Sequence, residues 1–425
     1  MSVLKSYRKA VAYVESFSNT SCNYQNTRPD PGIYISRTKH LLSLVGNPDK
    51  KIEFIHVTGT AGKGTVSAMI HAGLVLSEKK VGLFNSPYIT SVIDQIKVGE
   101  EYISPKDFAR ILEKIKPCIE KVRVGKWGQP LTFEILFVIA LLYFEEKKCN
   151  WAVIEVGIGG RFDATNVISN VKVAVITNID YDHTKILGKT LTRIANDKIG
   201  ILKSGSVLFT SEQRSHLKKI FVKNSKKLGV KCNFVERQKD YVGYNQILTR
   251  KVLVFLGLQT DIIDRAIKNT VMPCRFEVIQ KIPTVILDGA HNRSKIKSTI
   301  DKVKQIKYNQ AHVLVAIGNT SQDQLMVIKQ LIGLPRLKKI IITKSGTVNR
   351  LTCNPNKIVG TLGKFLRKSD NIIIENDPDL ALNSLMSCAA KDDLILVTGS
   401  FFLSGYLRRR WISEEWVLKN LKSFK

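Results

Sequence analysis

Residues Ile52–Thr65 read IEFIHVTGTAGKGT, and apolar residues at helical spacing follow through Val66–Leu76. The run Ile52–Val57 is short, apolar and rich in β-branched and aromatic residues, which predicts a buried strand. The turn Thr58–Thr65 carries glycines at 59, 62 and 64, so its backbone can bend until several N–H groups converge on one point. A helix opening from such a turn adds the partial positive charge of its N-terminus. Lys63 supplies a full charge to the outer phosphates of a nucleotide, and Thr65 offers a hydroxyl to a magnesium ion. Strand, loop and helix in this order predict a phosphate cradle. The alternative is a glycine-rich turn with a surface lysine.

The same alternation continues on both sides. Val81–Phe84, Trp151–Val156 and Val171–Asn178 read as buried strands, and Leu131–Glu146 reads as a long apolar helix. Pro105–Lys116 reads as a helix, with Ser104 at its N-cap and Pro105 at its first position. Continuous apolar strands separated by helices predict a parallel sheet covered on both faces. A second alternation starts at Thr284–Leu287 and continues with His312–Ile317, Lys339–Thr343, Asn371–Ile374 and Asp393–Val397. The expected fold is α/β throughout: a P-loop NTPase-like parallel-sheet domain over residues 1–271, then a smaller doubly wound α/β domain over 272–425. The join falls near Asn269–Pro273, after a helix expected at Gln259–Lys268.

With 425 residues, 44% of them apolar and 24% charged, the composition is that of an ordinary globular chain long enough for two large domains. The longest apolar run, Ile135–Phe144, is ten residues and too short to span a bilayer, and no apolar segment follows the basic N-terminus. Seven scattered cysteines (22, 118, 149, 232, 274, 353, 388) contain no C-x-x-C pair. Reduced thiols in the cytoplasm, no cysteine metal site and no membrane partner are expected. The net charge is +30. Such a field attracts anions, with nucleic acid, nucleotides and polycarboxylates as candidates, while a lysine-rich surface without a partner is the plain alternative. The basic stretch Leu217–Lys231 reads as a solvated helix face.

The loop is not the common G-x-x-x-x-G-K-[ST], because Gly64 separates Lys63 from Thr65. This variant resembles the loop of the Mur ligase superfamily, and most of all its folate branch, the folylpolyglutamate synthase and dihydrofolate synthase family. Other segments resemble the same family in the same order: Arg37–Pro48 ending in LVGNP, Glu155–Asn166 (EVGIGGRFDATN), Ile176–Gly188 (ITNIDYDHTKILG), Ile194–Lys203, Met272–Ile279 (MPCRFEVI), Leu287–Asn292 (LDGAHN) and Val397–Ser400 (VTGS). The last is read as a structural turn. The resemblance implies ATP contacts from Gly59, Thr60, Gly62, Lys63, Gly64, Thr65, Asn245, Arg275, Asp288 and His291. It implies magnesium on Thr65, Glu155 and His183, and catalytic roles for Lys63, His183 and Lys198, the last at the position of a carbamylated lysine. It implies substrate contacts from Ser86, Tyr88 and Asp163. Read from the residues alone, Glu155 ends an apolar strand before glycines, as ligand groups at a sheet's carboxyl edge do. A lone histidine such as His183 is more often structural, and Lys198 is indistinguishable from an ordinary helix lysine.

The chain departs from the family pattern at Ala61 (asparagine in the family), Tyr88 (histidine), Asp94-Gln95 (glutamate and arginine), Cys274 (glycine), Arg293 (proline) and Ser321-Gln322 (aspartate and lysine). The expected activity is ATP-dependent ligation of L-glutamate to a folate-type carboxylate through an acyl phosphate, by a monomer acting on small molecules without nucleic acid. The alternatives are a cell-wall amino-acid ligase of the same superfamily, a nucleic-acid-stimulated P-loop NTPase, and a nucleotide-binding protein without ligase activity.

Overall fold

A computed structural model describes residues 3–18, 30–318, 324–346, 352–362 and 372–424. Cys22, the Ser321–Asp323 departure and Asn371 lie outside the described residues. The chain divides into two compact units, Met1–Tyr88 with Val92–Thr270, and Ile89–Ser91 with Val271–Lys425. Ile89–Ser91, which a single cut at 271/272 would leave in the first unit, groups with the second.

The first unit is built on an eight-stranded sheet. Its strands are β1 (Glu53–Thr58), β2 (Val81–Phe84), β3 (Ile96–Val98), β4 (Glu101–Tyr102), β5 (Trp151–Glu155), β6 (Val171–Ile176), β7 (Val207–Thr210) and β8 (Lys231–Phe234), in the order β4-β3-β2-β5-β1-β6-β7-β8. All neighbours pair in parallel except β2 with β3 and β3 with β4. β1 is central because nearly every residue in it is buried on both faces: Ile55 and Val57 pack with Val66, Ile70, Val173, Val175, Leu248 and Val252. Register pairs Val57 with Glu155 and Thr58 with Ile176. The phosphate loop, Glu155 and the segment after β6 therefore emerge at one carboxyl edge, where open α/β sheets place their ligands.

Several boundaries move for physical reasons. The helix expected to stop before Pro117 runs from Pro105 to Val124, because Ile119 and Val122 beyond the proline are fully buried. The basic stretch 217–231 is not one helix face. The helix ends at Lys227, Leu228 caps it, and Lys231 begins β8.

The second unit has strands β9 (Glu277–Lys281), β10 (Thr284–Leu287), β11 (Ala311–Val315), β12 (Leu337–Ile342), β13 (Ile372–Ile374) and β14 (Leu394–Thr398), in the order β13-β12-β11-β14-β10-β9. Only β9 is antiparallel. Alternate residues fill separate cores, Ile286, Val313, Leu394 and Leu396 on one face and Val285, Leu287, Ile395 and Val397 on the other. Two covered faces explain why these strands read as unbroken apolar runs. Among the described residues no helix is long and apolar enough to cross a membrane.

The fully buried Arg408 ties this unit together. Its Nε lies 3.0 and 2.9 Å from the two carboxylate oxygens of Glu277, its Nη1 donates to Thr90 Oγ1 at 3.1 Å, and its Nη2 donates to the Ser423 carbonyl. Removing one member of a buried pair strands the other charge. Arg408→Ala is expected to destabilise the second unit by about 3–5 kcal/mol, read as a lower urea midpoint; a loss below about 1 kcal/mol, the level of an exposed pair, would contradict this account.

Candidate functional site

The loop after β1 closes on itself and on the loop after β6. Gly59 has φ +146°, and a Cβ there would stand 1.7 Å from Thr177 Oγ1. Gly62, with φ +84°, caps the helix Lys63–Leu76, and a Cβ on it would meet Asn245 Oδ1 at 2.4 Å and the Tyr241 hydroxyl at 2.7 Å. Both positions accept only glycine. Thr60 N–H donates to the Asn178 carbonyl at 2.9 Å, and Ala61 N–H to Asn178 Oδ1 at 2.8 Å. Thr177 Oγ1 donates to the Ala61 carbonyl at 2.6 Å, and the Thr60 hydroxyl bridges the N–H and carbonyl of Asp180. Gly64 and Thr65 sit in the first helical turn, whose N–H groups have no intrahelical partners and carry the positive end of the helix dipole.

Two lysines converge on one carbonyl. Lys63 Nζ donates to Gly59 O at 3.2 Å and Lys198 Nζ donates to the same atom at 3.0 Å. Lys198 is only 3% exposed. Burial, reinforced by the charge of Lys63, pushes its amine down from 10.5 to about 7, against the opposing pull of Asp182, Asp197 and Asp163. Lys198 is thus no ordinary helix lysine. Lys203 also stays inside, donating to the Asn166 carbonyl at 3.0 Å, and burial lowers its pKa.

Glu155 ends β5 with 3% exposure, and its Oε2 accepts the Ser86 N–H at 3.0 Å. Two of the expected site residues are thereby joined. Asp163 spends both oxygens on its own loop: Oδ1 takes Thr165 N–H and hydroxyl at 3.0 and 2.6 Å, and Oδ2 takes Ile158 N–H at 2.9 Å. Burial raises its pKa although these bonds oppose the rise. Thr165 also meets buried His56, whose imidazole burial and the charge of Lys203 push down to about 3, so it stays neutral. Tyr88 hydroxyl donates to Glu15 at 2.8 Å. His183 adopts φ +49° and its Nε2 lies 3.8 Å from Asp182 Oδ1.

Among the described residues no three His, Cys, Asp or Glu side chains stand together as a metal site. Magnesium asks for less, because it binds through one or two carboxylates together with waters and substrate phosphates. The buried Glu155 carboxylate at the loop's edge and the Thr65 hydroxyl are hard oxygen donors that fit it. The His183 imidazole is the less typical donor.

In the second unit, Arg275 lies over the Phe401 ring at 4.2 Å and His291 meets the same ring edge-on at 5.9 Å. Asp288 accepts from Phe276 N–H, Ala290 N–H and the Thr299 hydroxyl at 2.7–2.9 Å. His291 Nδ1 faces the Gly289 carbonyl at 2.8 Å and its Nε2 faces Lys295 at 3.0 Å. Sequence reasoning missed Asn178, Thr177 and Tyr241. Two signals were available for Thr177 and Asn178: they lie in the segment Ile176–Gly188 that resembles the family, and they directly follow an apolar strand at the ligand edge.

Residues 57–251 match the Mur ligase middle domain, and residues 274–401 match the Mur ligase glutamate ligase domain. The dihydrofolate synthase/folylpolyglutamate synthase of Bacillus subtilis is 29% identical over 422 residues, covering 89% of this chain and 95% of that one. The fold is similar to that of Mycobacterium tuberculosis folylpolyglutamate synthase complexed with ADP, with TM-score 0.85 and 22% identity over 97% of this chain and 99% of that one. It is also similar to Thermotoga maritima folylpolyglutamate synthase, with TM-score 0.78 and 26% identity over 96% and 98%.

The Lys198 environment has a measurable signature. Between pH 7 and 10.5 the unfolded chain holds a proton on this amine that the folded chain has lost. Its contribution to stability therefore rises with pH across that window, by on the order of a few kcal/mol. In Lys198→Met that rise should vanish, so wild-type stability minus variant stability should increase from pH 7 to pH 10. A pH-independent difference in denaturant unfolding would mean the amine titrates normally.

Proposed function

This chain belongs to the folylpolyglutamate synthase and dihydrofolate synthase family of the Mur ligases, and from that premise we propose that it joins L-glutamate to a folate-type carboxylate, using ATP and passing through an acyl phosphate. The observation that carries the reading is the phosphate loop Thr58–Thr65, which opens a helix at the end of β1 beside Glu155 at the end of β5. A carboxylate is a poor electrophile. Transfer of the ATP γ-phosphoryl group gives it a good leaving group, the glutamate amine attacks, and the tetrahedral adduct collapses to amide and phosphate.

Such transfer depends on positioning and charge stabilisation. Lys63 swings from Gly59 O to the outer phosphates, while the N–H groups of Gly62, Gly64 and Thr65 hold the inner ones. Asn245, Arg275 and His291 are the further residues that the family pattern gives to the nucleotide. Asp288 serves there by fixing the turn that carries Arg275. Thr65, Glu155 and His183 would hold magnesium, which when bound neutralises charge on the β and γ phosphates. Ser86, Tyr88 and the loop that Asp163 fastens face the carboxylate substrate. An amine with a pKa near 7 is in good part uncharged at neutral pH, so Lys198 can take up carbon dioxide, releasing a proton and becoming a carbamate anion. The six described cysteines are free thiols, and the reading places the enzyme in the cytoplasm, where disulfides are rare. The reading is completed by a monomer with small-molecule substrates and no nucleic-acid partner.

The test is purified protein with ATP, magnesium and labelled glutamate, offered dihydropteroate and tetrahydrofolate separately. Labelled amide with either supports the reading. No amide, with ATP hydrolysis stimulated instead by nucleic acid, overturns it. Lys63→Ala is expected to lower turnover by about 10²-fold or more, as for other single transition-state electrostatic contacts, with an unchanged circular dichroism spectrum. Near wild-type turnover would remove the loop from the mechanism. Glu155→Gln keeps size and removes charge, so the magnesium concentration for half-maximal rate should rise several-fold at fixed ATP. An unchanged magnesium titration would remove Glu155 from the metal site.

A further inference from the structure

The phosphate loop does not stand alone: an ion pair two strands away, with a buried carboxylate and a partly exposed arginine, grips the segment that grips it. Glu212, just past β7, has a side chain only 3% exposed. Its Oε1 accepts N–H groups from Gln213 at 3.0 Å and Arg214 at 2.9 Å, and Arg214 Nε at 2.8 Å. Its Oε2 accepts Arg214 Nη2 at 2.7 Å and the N–H of Ile179 at 3.3 Å. Arg214 Nη2 also donates to the carbonyl of Ile179. The pair therefore holds both polar groups of one backbone residue. Burial disfavours the carboxylate, but the bonds from Arg214 outweigh it and leave Glu212 more acidic than usual. Ser211 donates to the Thr177 carbonyl in the same segment.

Ile179 is 1% exposed and lies between the two residues that latch the phosphate loop. Asn178 on one side receives the N–H groups of Thr60 and Ala61, and Asp180 on the other is bridged by the Thr60 hydroxyl. A residue held at its N–H and carbonyl by a charged fork has little freedom to rotate its peptide planes, so Asn178 and Asp180 are presented in one geometry. Charge-assisted, bidentate bonds are the strong and directional ones. Neither Glu212 nor Arg214 belongs to any motif read from the sequence.

We propose that Glu212 and Arg214 are positioning residues for the nucleotide: through Ile179 they preset the phosphate loop in the shape that receives the phosphates of ATP. The proposal rests on the loop's nucleotide-binding role and not on the identity of the carboxylate substrate. Its test accordingly uses binding of ADP with magnesium, measured by calorimetry on the full chain, and needs no ligation.

Arg214→Lys keeps the charge and removes the fork, and is expected to raise the ADP dissociation constant about tenfold. Glu212→Gln should do the same or more. In an Asn178→Ala background, which removes the Oδ1 arm of the connection and leaves the Thr60 bonds to the Asn178 carbonyl and to Asp180, Arg214→Lys should cost clearly less than its tenfold in the wild type. A structural role alone would lower the melting temperature and leave ADP affinity where it was, and that result overturns the proposal. So would additive losses in the double variant. If Glu212→Gln does not fold, the exposed-edge Arg214→Lys and the double variant still decide. Wild-type protein that binds ADP but forms no amide would sink the ligase reading and leave this one standing; wild-type protein that does not bind ADP would sink both.

Discussion

A Cβ atom at residue 59 would lie 1.7 Å from the Thr177 hydroxyl. That close approach is what the first unit is arranged around. Because the backbone of Gly59 touches the segment after β6, the carboxyl ends of β1 and β6 interlock, and the phosphate loop has no room to relax into an ordinary strand–helix turn. The interlock is made of polar bonds at both Thr60 and Ala61, so it satisfies backbone groups that the sharp turn would otherwise leave buried and unpaired. A loop already held in its binding shape loses little conformational freedom when a ligand arrives, which is the source of affinity in preorganised sites.

The same turn aims the Gly59 carbonyl at two ammonium groups. One carbonyl dipole cannot balance two full charges, and burial removes the water that would. The physical resolution is the one seen at Lys198, whose amine is driven down to about 7 by burial and by the charge of Lys63. Elsewhere basic residues line surface faces: on the helix Ser215–Lys227, Leu217 and Phe221 face inward while Lys219, Lys223, Lys226 and Lys227 are exposed.

What could be read in advance follows the range of the interactions. The strand–loop–helix unit is local, and glycines at 59 and 62 announce it; Glu155 is announced by ending an apolar run. The covered faces of the second sheet were legible because alternation disappears when both sides are buried. Lys198 was not legible, since its burial depends on Gly59, 139 residues earlier in the chain. Glu212 and Arg214 were silent for the same reason: their pairing is local, but its meaning lies in Ile179, on another strand's loop. The helix past Pro117 misled because a proline is a local signal, whereas the burial of Ile119 and Val122 that carries the helix onward is tertiary.

The second unit solves a related problem with strain. Cys274 and Phe276 both adopt left-handed backbone, at φ +53° and +54°, on either side of Arg275. Non-glycine residues in that region cost on the order of 1–3 kcal/mol each and persist only where their surroundings over-determine them. Here two carboxylates do so: Glu277 takes the Cys274 N–H at 2.8 Å while pairing with buried Arg408, and Asp288 takes the Phe276 N–H at 2.7 Å. The cysteine that stands where the family pattern has glycine is fully buried among Val285, Leu287 and Phe401, and that burial offsets part of its backbone cost. The twisted turn throws the Arg275 guanidinium onto the face of Phe401, beside His291. A guanidinium stacked on an aromatic ring keeps its N–H edge free of the ring plane, so the strained turn leaves an oriented donor edge. Asp288, with both oxygens occupied, contributes to that edge by holding the turn.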